Sequence, residues 1–254
     1  MFHQEFESVA ILRNYLQGRN PLSVLEGVAD SLASQGGAAL VAWLALGMLL
    51  GLGIVTLGRV YTRRVVHLFG LPGSFLPSQG LRLPAYVGWA LSGGALGLIL
   101  AVRHADWLSS LVVLAVCLTL GILAVVDWYT GLLPDELTLP LLWGGLLWSW
   151  LGLGPDVWQA LGGAIVAYGF LLAVFHLYRW VRGREGMGGG DFKLAAALGA
   201  WVGVAVLPEL LLLACALGVL LALSRAGFQG VVQSFPFGPC LSLSGVVFLL
   251  CFSP

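Results

Sequence analysis

The stretch Leu108-Ser-Ser-Leu-Val-Val-Leu-Ala-Val-Cys-Leu-Thr-Leu-Gly-Ile-Leu-Ala-Val-Val-Asp127-Trp-Tyr-Thr130 decides the fold. No residue from Leu108 to Val126 is charged, and the run matches the ~20 apolar residues that a helix needs to cross a bilayer. The whole chain is of the same kind: 59% of its 254 residues are hydrophobic, 9% are charged, and mean hydropathy is +0.96. A water-soluble domain of this length needs more polar surface than that. The expected fold is therefore all-α, a polytopic membrane protein with about eight transmembrane helices.

Outward from that run, apolar segments fall near 37–58, 84–102, 108–126, 136–153, 157–180, 192–207, 208–224 and 237–253. The sixth and seventh share a divider at Pro208-Glu209. Glycine pairs inside the segments (Gly93-Gly94, Gly144-Gly145, Gly162-Gly163) suit close helix packing in lipid. Eight spans put Arg59, Arg63, Arg64, Arg82, Arg179, Arg182, Arg184, Lys193 and Arg225 on one side, nine of the chain's twelve basic residues. That side is expected to be the cytoplasm, with both chain ends outside. Residues 1–36 then form a non-cytoplasmic N-terminal segment, compatible with an amphipathic helix. Residues 37–254 form the membrane domain, with a short cytoplasmic connection over 59–83. The first 35 or so residues lack a basic region followed by an apolar core, so no cleavable signal peptide is expected.

Other classes are excluded by composition. Net charge is zero, which gives no footing for a nucleic-acid partner. Cys117, Cys215, Cys240 and Cys251 form no Cys-x-x-Cys pair and read as small buried thiols. His3, His67, His104 and His176 lack ligand spacing, so no metal site is expected. The tryptophans read mostly as interfacial belt and packing residues.

In so apolar a chain an ionised carboxylate at bilayer depth costs several kcal/mol. Asp127 falls at the cytoplasmic end of the third span, and Asp191 at the cytoplasmic start of the sixth. They are 64 residues apart in sequence yet at one depth on one face. Taken alone, Asp191 reads as a helix-start acid behind a glycine loop, and Asp127 as an interfacial residue closing a span. Together they fit aspartyl proteolysis, in which one carboxyl keeps its proton and the other takes a proton from water. Gly188, Gly189 and Gly190, just before Asp191, would leave the backbone bare for an extended substrate. Asp135 and Glu136 follow Pro134 and read as first-turn helix acids. Lys193 would tune Asp191 or, by default, meet lipid phosphate. Pro236-Phe-Gly-Pro239 reads as a rigid turn entering the last span.

Three ordered segments resemble the type IV prepilin peptidases. Asp127-Trp-Tyr-Thr-Gly-Leu-Leu-Pro134-Asp135-Glu-Leu-Thr-Leu-Pro140-Leu-Leu-Trp143 is similar to their first catalytic segment. The stretch from Gly183 to Trp201, with Gly188-Gly-Gly190-Asp191, resembles the second, which carries a Gly-x-Gly-Asp signature. Phe235-Pro-Phe-Gly-Pro239 is similar to the element before the last helix. The resemblance runs from about Leu108 to the C-terminus and implies an inner-membrane aspartyl endopeptidase that removes the basic leader of type IV prepilins or type II secretion pseudopilins on the cytoplasmic side. Asp127 and Asp191 would be its catalytic pair, with Gly188, Gly190, Asp135, Glu136 and Lys193 supporting the loop or the substrate. Proteolysis would need no cofactor. Members commonly also methylate the new N-terminus with S-adenosylmethionine. Many carry a zinc module with two Cys-x-x-Cys pairs in the first connection; here that connection has no cysteine, and zinc is not expected. Two other readings compete: a broader Gly-x-Gly-Asp protease cutting inside membrane helices, and a small proton-coupled transporter. The third segment argues against the first, and the interfacial placement of both aspartates against the second.

Overall fold

The computed structural model describes residues 37–76, 83–103, 107–183, 188–229 and 236–252. The N-terminal segment 1–36, Arg82, Arg184, Glu185 and Phe235 lie outside them. The described residues contain no strand and eight α-helices: α1 Gly37–Leu68, α2 Leu83–Arg103, α3 Trp107–Thr130, α4 Asp135–Trp150, α5 Val157–Arg182, α6 Gly189–Val202, α7 Leu207–Gln229 and α8 Gly238–Phe252. A 3-10 turn, Gly73–Phe75, follows α1. The chain is thus an all-helical, polytopic membrane protein. By length and composition α1, α3 and α5 can each cross a bilayer, and Ala85–Ala101, Leu207–Leu223 and Gly238–Cys251 are shorter apolar stretches. Each expected apolar segment overlaps one of these eight helices.

Two expected boundaries moved. The first helix does not stop at residue 58 but runs on to Leu68, so Arg59, Arg63 and Arg64 sit on helix rather than in a loop. The break between the sixth and seventh segments falls at Gly203, whose φ of 81° ends α6, and not at Pro208-Glu209. Pro208 instead occupies the first turn of α7, where its missing N–H has no helical partner to lose.

Glycine governs the tightest crossings. α1 and α2 form the most extensive pair, and a Cβ on Gly93 would run into the backbone of Gly47. α5 meets α6 in the same way through Gly163 and Gly199. In α4, a Cβ on Gly145 would lie 2.8 Å from Cδ1 of Trp201. One glycine of each sequence pair makes the close approach, while Gly94, Gly144 and Gly162 are less confined.

α6 is the central post, packed by α4, α5 and α8. Leu194, Ala195, Ala197, Leu198 and Ala200 have no exposed surface. The Trp201 indole N–H donates to the Leu141 carbonyl at 2.8 Å, tying α6 to α4. Trp143, Trp150, Trp158 and Trp180 are by contrast largely exposed, as belt residues are. The thiols divide as well: Cys117 and Cys240 are buried, whereas Cys215 and Cys251 lie on the outer surface. That corrects the expectation of four buried thiols, because an apolar run does not reveal which of its faces meets lipid.

Candidate active site

Asp127 sits in the last turn of α3, and that helix is ended by its own local chemistry. The Gly131 N–H donates to the Asp127 carbonyl at 2.8 Å, and Gly131 takes a φ of 65° that other residues rarely adopt. The Thr130 hydroxyl donates to the Val126 carbonyl at 2.8 Å and accepts from the Leu132 N–H at 3.2 Å. Three residues later Pro134 caps α4, placing Asp135 and Glu136 in its first turn as expected. Asp191 occupies the first turn of α6, behind Gly188. Its position suits a negative charge at a helix start, so the plain structural role also holds.

The bundle brings the two aspartates together. α8 packs against both α3 and α6. Asp127 and Asp191 are 4% and 6% exposed and lie within electrostatic reach of one another. Two such carboxyls out of bulk water have the chemistry of an acid–base pair.

The turn before α8 does more than turn. The Cys240 and Leu241 N–H groups donate to the Phe237 carbonyl, which is the expected turn chemistry. The Gly238 N–H, however, donates to Oδ2 of Asp127 at 2.9 Å in a buried contact. A Cβ on residue 238 would lie 2.6 Å from that same oxygen. Gly238 is therefore a site residue that reading the turn alone did not reveal. The only signal for it was the third segment of the family resemblance.

The glycines before Asp191 have unequal roles. Among described residues the positive-φ glycines are Gly70, Gly131, Gly152, Gly183 and Gly203, so Gly188, Gly189 and Gly190 need no special conformation. A Cβ on Gly190 would lie 2.6 Å from Cβ of Leu133, so this glycine lets α6 begin against the α3–α4 connection. Nothing lies within 4 Å of a Cβ on Gly189, and Gly188 has only the Asp191 Oδ2 at 3.8 Å. The space beside the backbone is thus open at 188 and 189 and taken by Leu133 at 190.

Lys193 pairs with Asp135 of α4. Its Nζ lies 2.6 and 2.7 Å from the two carboxylate oxygens of Asp135, because α4 and α6 pack with their first turns side by side. Glu136 accepts a hydrogen bond from the Tyr61 hydroxyl, which the unexpected extension of α1 brings into reach. Asp135 and Glu136 thus link α4 to α6 and to α1 around the site. No group of three or more His, Cys, Asp or Glu side chains among the described residues could hold a metal ion. The first connection lacks the thiol donors that a zinc module requires.

Comparison with known proteins gives the same region a family. Residues 114–223 match the type IV leader peptidase family. A prepilin leader peptidase/N-methyltransferase of Pseudomonas putida is 40% identical over 166 residues, 65% of this chain and 56% of that protein. The proteins of the same description from Dickeya chrysanthemi and Aeromonas hydrophila are 42% and 40% identical, over 57% and 61% of this chain and 53% and 54% of theirs. The chain spans about half the length of the curated relatives it matches. No solved structure matches. The residues matched to the type IV leader peptidase family are those that carry both aspartates.

Proposed function

We propose that this chain is a membrane-embedded aspartyl endopeptidase that removes the leader of type IV prepilins or pseudopilins at the cytoplasmic face of the bacterial inner membrane. The observation that carries the proposal is the buried pair Asp127 and Asp191, brought together from two helices by a third. The family match over 114–223 and the printed description of the relatives supply the substrate class. The basic residues Arg63, Arg64, Arg179 and Arg182 at the same ends of α1 and α5 support the cytoplasmic orientation.

In the proposed reaction one carboxyl is protonated and hydrogen-bonds the scissile carbonyl oxygen. The other, ionised, takes a proton from a water molecule as that water attacks the carbonyl carbon. The tetrahedral adduct collapses when the leaving nitrogen receives a proton and the C–N bond breaks. Asp127 Oδ2 accepts the Gly238 N–H and Asp191 stands at a helix start, so either position can hold the ionised carboxyl while the pair holds one proton between them.

The test is direct. Membranes holding the wild-type chain, Asp127→Asn or Asp191→Asn are incubated with a prepilin, and leader loss is followed on a gel. The wild type should cleave, and each variant should lose at least about a thousandfold in rate, as when a group acting in a catalytic unit is removed. Retained cleavage by either variant would sink the pairing and revive a transporter reading. Cleavage inside a membrane helix rather than at the leader junction would favour the broader protease. Labelled S-adenosylmethionine in the same tube reports whether the chain also methylates the new N-terminus, the second activity in the relatives' description.

A further inference from the structure

Asp127 and Asp191 stand in different groups of helices. α1 packs on α2 and on α3, the helix of Asp127. α4 and α5 pack on α6, the helix of Asp191. Direct packing between the two groups is slight, and α8 bridges them by lying against both α3 and α6. The spacing of the carboxyls therefore depends on what else crosses from one group to the other.

The Tyr61 hydroxyl crosses, donating to the Glu136 carboxylate over 75 positions of sequence. Each end of this bond is tied to an aspartate. On α1, Gly58 stands one turn before Tyr61, and a Cβ there would lie 2.9 Å from Cγ1 of Val125, two residues before Asp127. Thr62, beside Tyr61, has no exposed surface, and its hydroxyl donates to the Gly58 carbonyl at 2.7 Å. α1 is thus seated on α3 within a turn of the carboxylate. On α4, Glu136 follows Asp135, whose carboxylate holds Lys193, two residues after Asp191.

Tyr61 is itself oriented. The Arg64 guanidinium carbon, one turn further along α1, lies 6.0 Å from the centroid of its ring. The side chain has a cation over its face and an anion at its hydroxyl. A single hydrogen bond is a small part of a bundle's stability. Reacting groups are less forgiving, since a misplacement of about 1 Å costs about a hundredfold in rate.

We propose that Tyr61 and Glu136 are positioning residues, their hydrogen bond acting as a strut that holds the helices of Asp127 and Asp191 at the spacing the two carboxyls need. The inference rests on the peptidase reading above and adds to it a contact that touches neither carboxyl. The strut acts through the helices, so it serves every substrate alike.

The experiment uses the full chain in membranes and two prepilins, one with a basic leader and one whose leader has fewer basic residues. Tyr61→Phe removes only the hydroxyl and leaves the Glu136 charge in place. Glu136→Met removes the acceptor at nearly the same length. Each should lower kcat about tenfold, with KM within about twofold and equal losses for both prepilins. The double variant should be no slower than either single one, because all three lack the same bond. A second readout is the pH profile of kcat/KM. Without the strut the carboxyls part and interact less, so the acid and alkaline limbs of the bell should move toward each other. The spacing of the limbs does not depend on how much enzyme is folded, so it serves should a variant accumulate poorly. A kcat within about twofold of wild type in both single variants, losses that multiply in the double variant, or limbs that stay in place would each overturn the strut. A loss confined to the basic leader would overturn it too, and give Glu136 to the leader instead. Absence of any cleavage by the wild type would overturn the peptidase reading, and the strut with it.

Discussion

Gly238→Ala tests the arrangement more sharply than removal of either aspartate, because it keeps both carboxyls and displaces one. The new Cβ would lie 2.6 Å from Oδ2, 2.9 Å from Cγ and 3.1 Å from Cβ of Asp127. An ordinary contact needs at least about 3.4 Å, so Asp127 or the start of α8 must shift by close to 1 Å. Neither yields easily, since Asp127 is buried in the last turn of α3 and α8 is wedged between α3 and α6. A misplacement of about 1 Å at a reacting group costs about a hundredfold in rate. The same shift stretches the 2.9 Å hydrogen bond from the Gly238 N–H, a bond to a charged group worth about 1.5–3 kcal/mol. The expected outcome is a kcat lowered about a hundredfold with KM little changed, since the loss falls on chemistry rather than binding. Prepilin cleavage under saturating substrate gives kcat, and thermal unfolding in detergent confirms that the variant is folded. A folded Gly238→Ala protein with kcat within twofold of wild type would refute the idea that this N–H positions Asp127.

The glycine run before Asp191 should divide: Gly190→Ala overpacks against Leu133 and should destabilise by about 1–3 kcal/mol, while Gly189→Ala should leave the melting temperature unchanged. Activity lost at 189 without stability lost would then mark substrate approach along the bare backbone. The exposed Lys193–Asp135 pair should contribute no more than about 1 kcal/mol, so Asp135→Asn should lower the melting temperature slightly and lose its effect in a Lys193→Met background. Charge reversal at Asp135 and Glu136 should slow cleavage of a basic leader more than of a leader with fewer basic residues; equal losses would confine both acids to joining helices. Cleavage should follow a bell-shaped pH profile, lost at low pH when both aspartates are protonated and at high pH when both are ionised; a plateau at either extreme would contradict a shared proton.

The helical class and the pair of aspartates were legible because both depend on local composition: runs such as Leu108–Val126 cannot remain in water, and few carboxylates stand at their ends. The partners of those carboxylates were not legible. Gly238 meets Asp127 across 111 residues, and nothing in Pro236-Phe-Gly-Pro239 says which side chain its N–H will find. Lys193 shows the same limit in another form. Its sequence position suggested Asp191 or lipid phosphate and gave no sign of Asp135, 58 positions earlier, which the side-by-side first turns of α4 and α6 bring within 2.6 Å.

The shortness of the sixth helix has a physical basis that bears on the site. A length rule of about 20 apolar residues holds for helices that meet lipid over the full thickness of the bilayer. α6 has 14 residues and a length of about 21 Å, short of the ~30 Å hydrocarbon core. It tolerates this because α4, α5 and α8 surround it, and irregular backbone at membrane depth is allowed where protein covers it. The turn after it is covered and satisfied: Gly203 and Leu207 are buried, and the Val204 N–H donates to the Gln159 carbonyl at 3.0 Å. A helix enclosed by its neighbours can be set at whatever height they fix, here by the Gly163–Gly199 crossing and the Trp201 bond to α4. Asp191, in its first turn, is therefore the anchored member of the pair. Asp127 belongs to a helix with the length to cross the bilayer and depends on Gly238 of α8 to meet it.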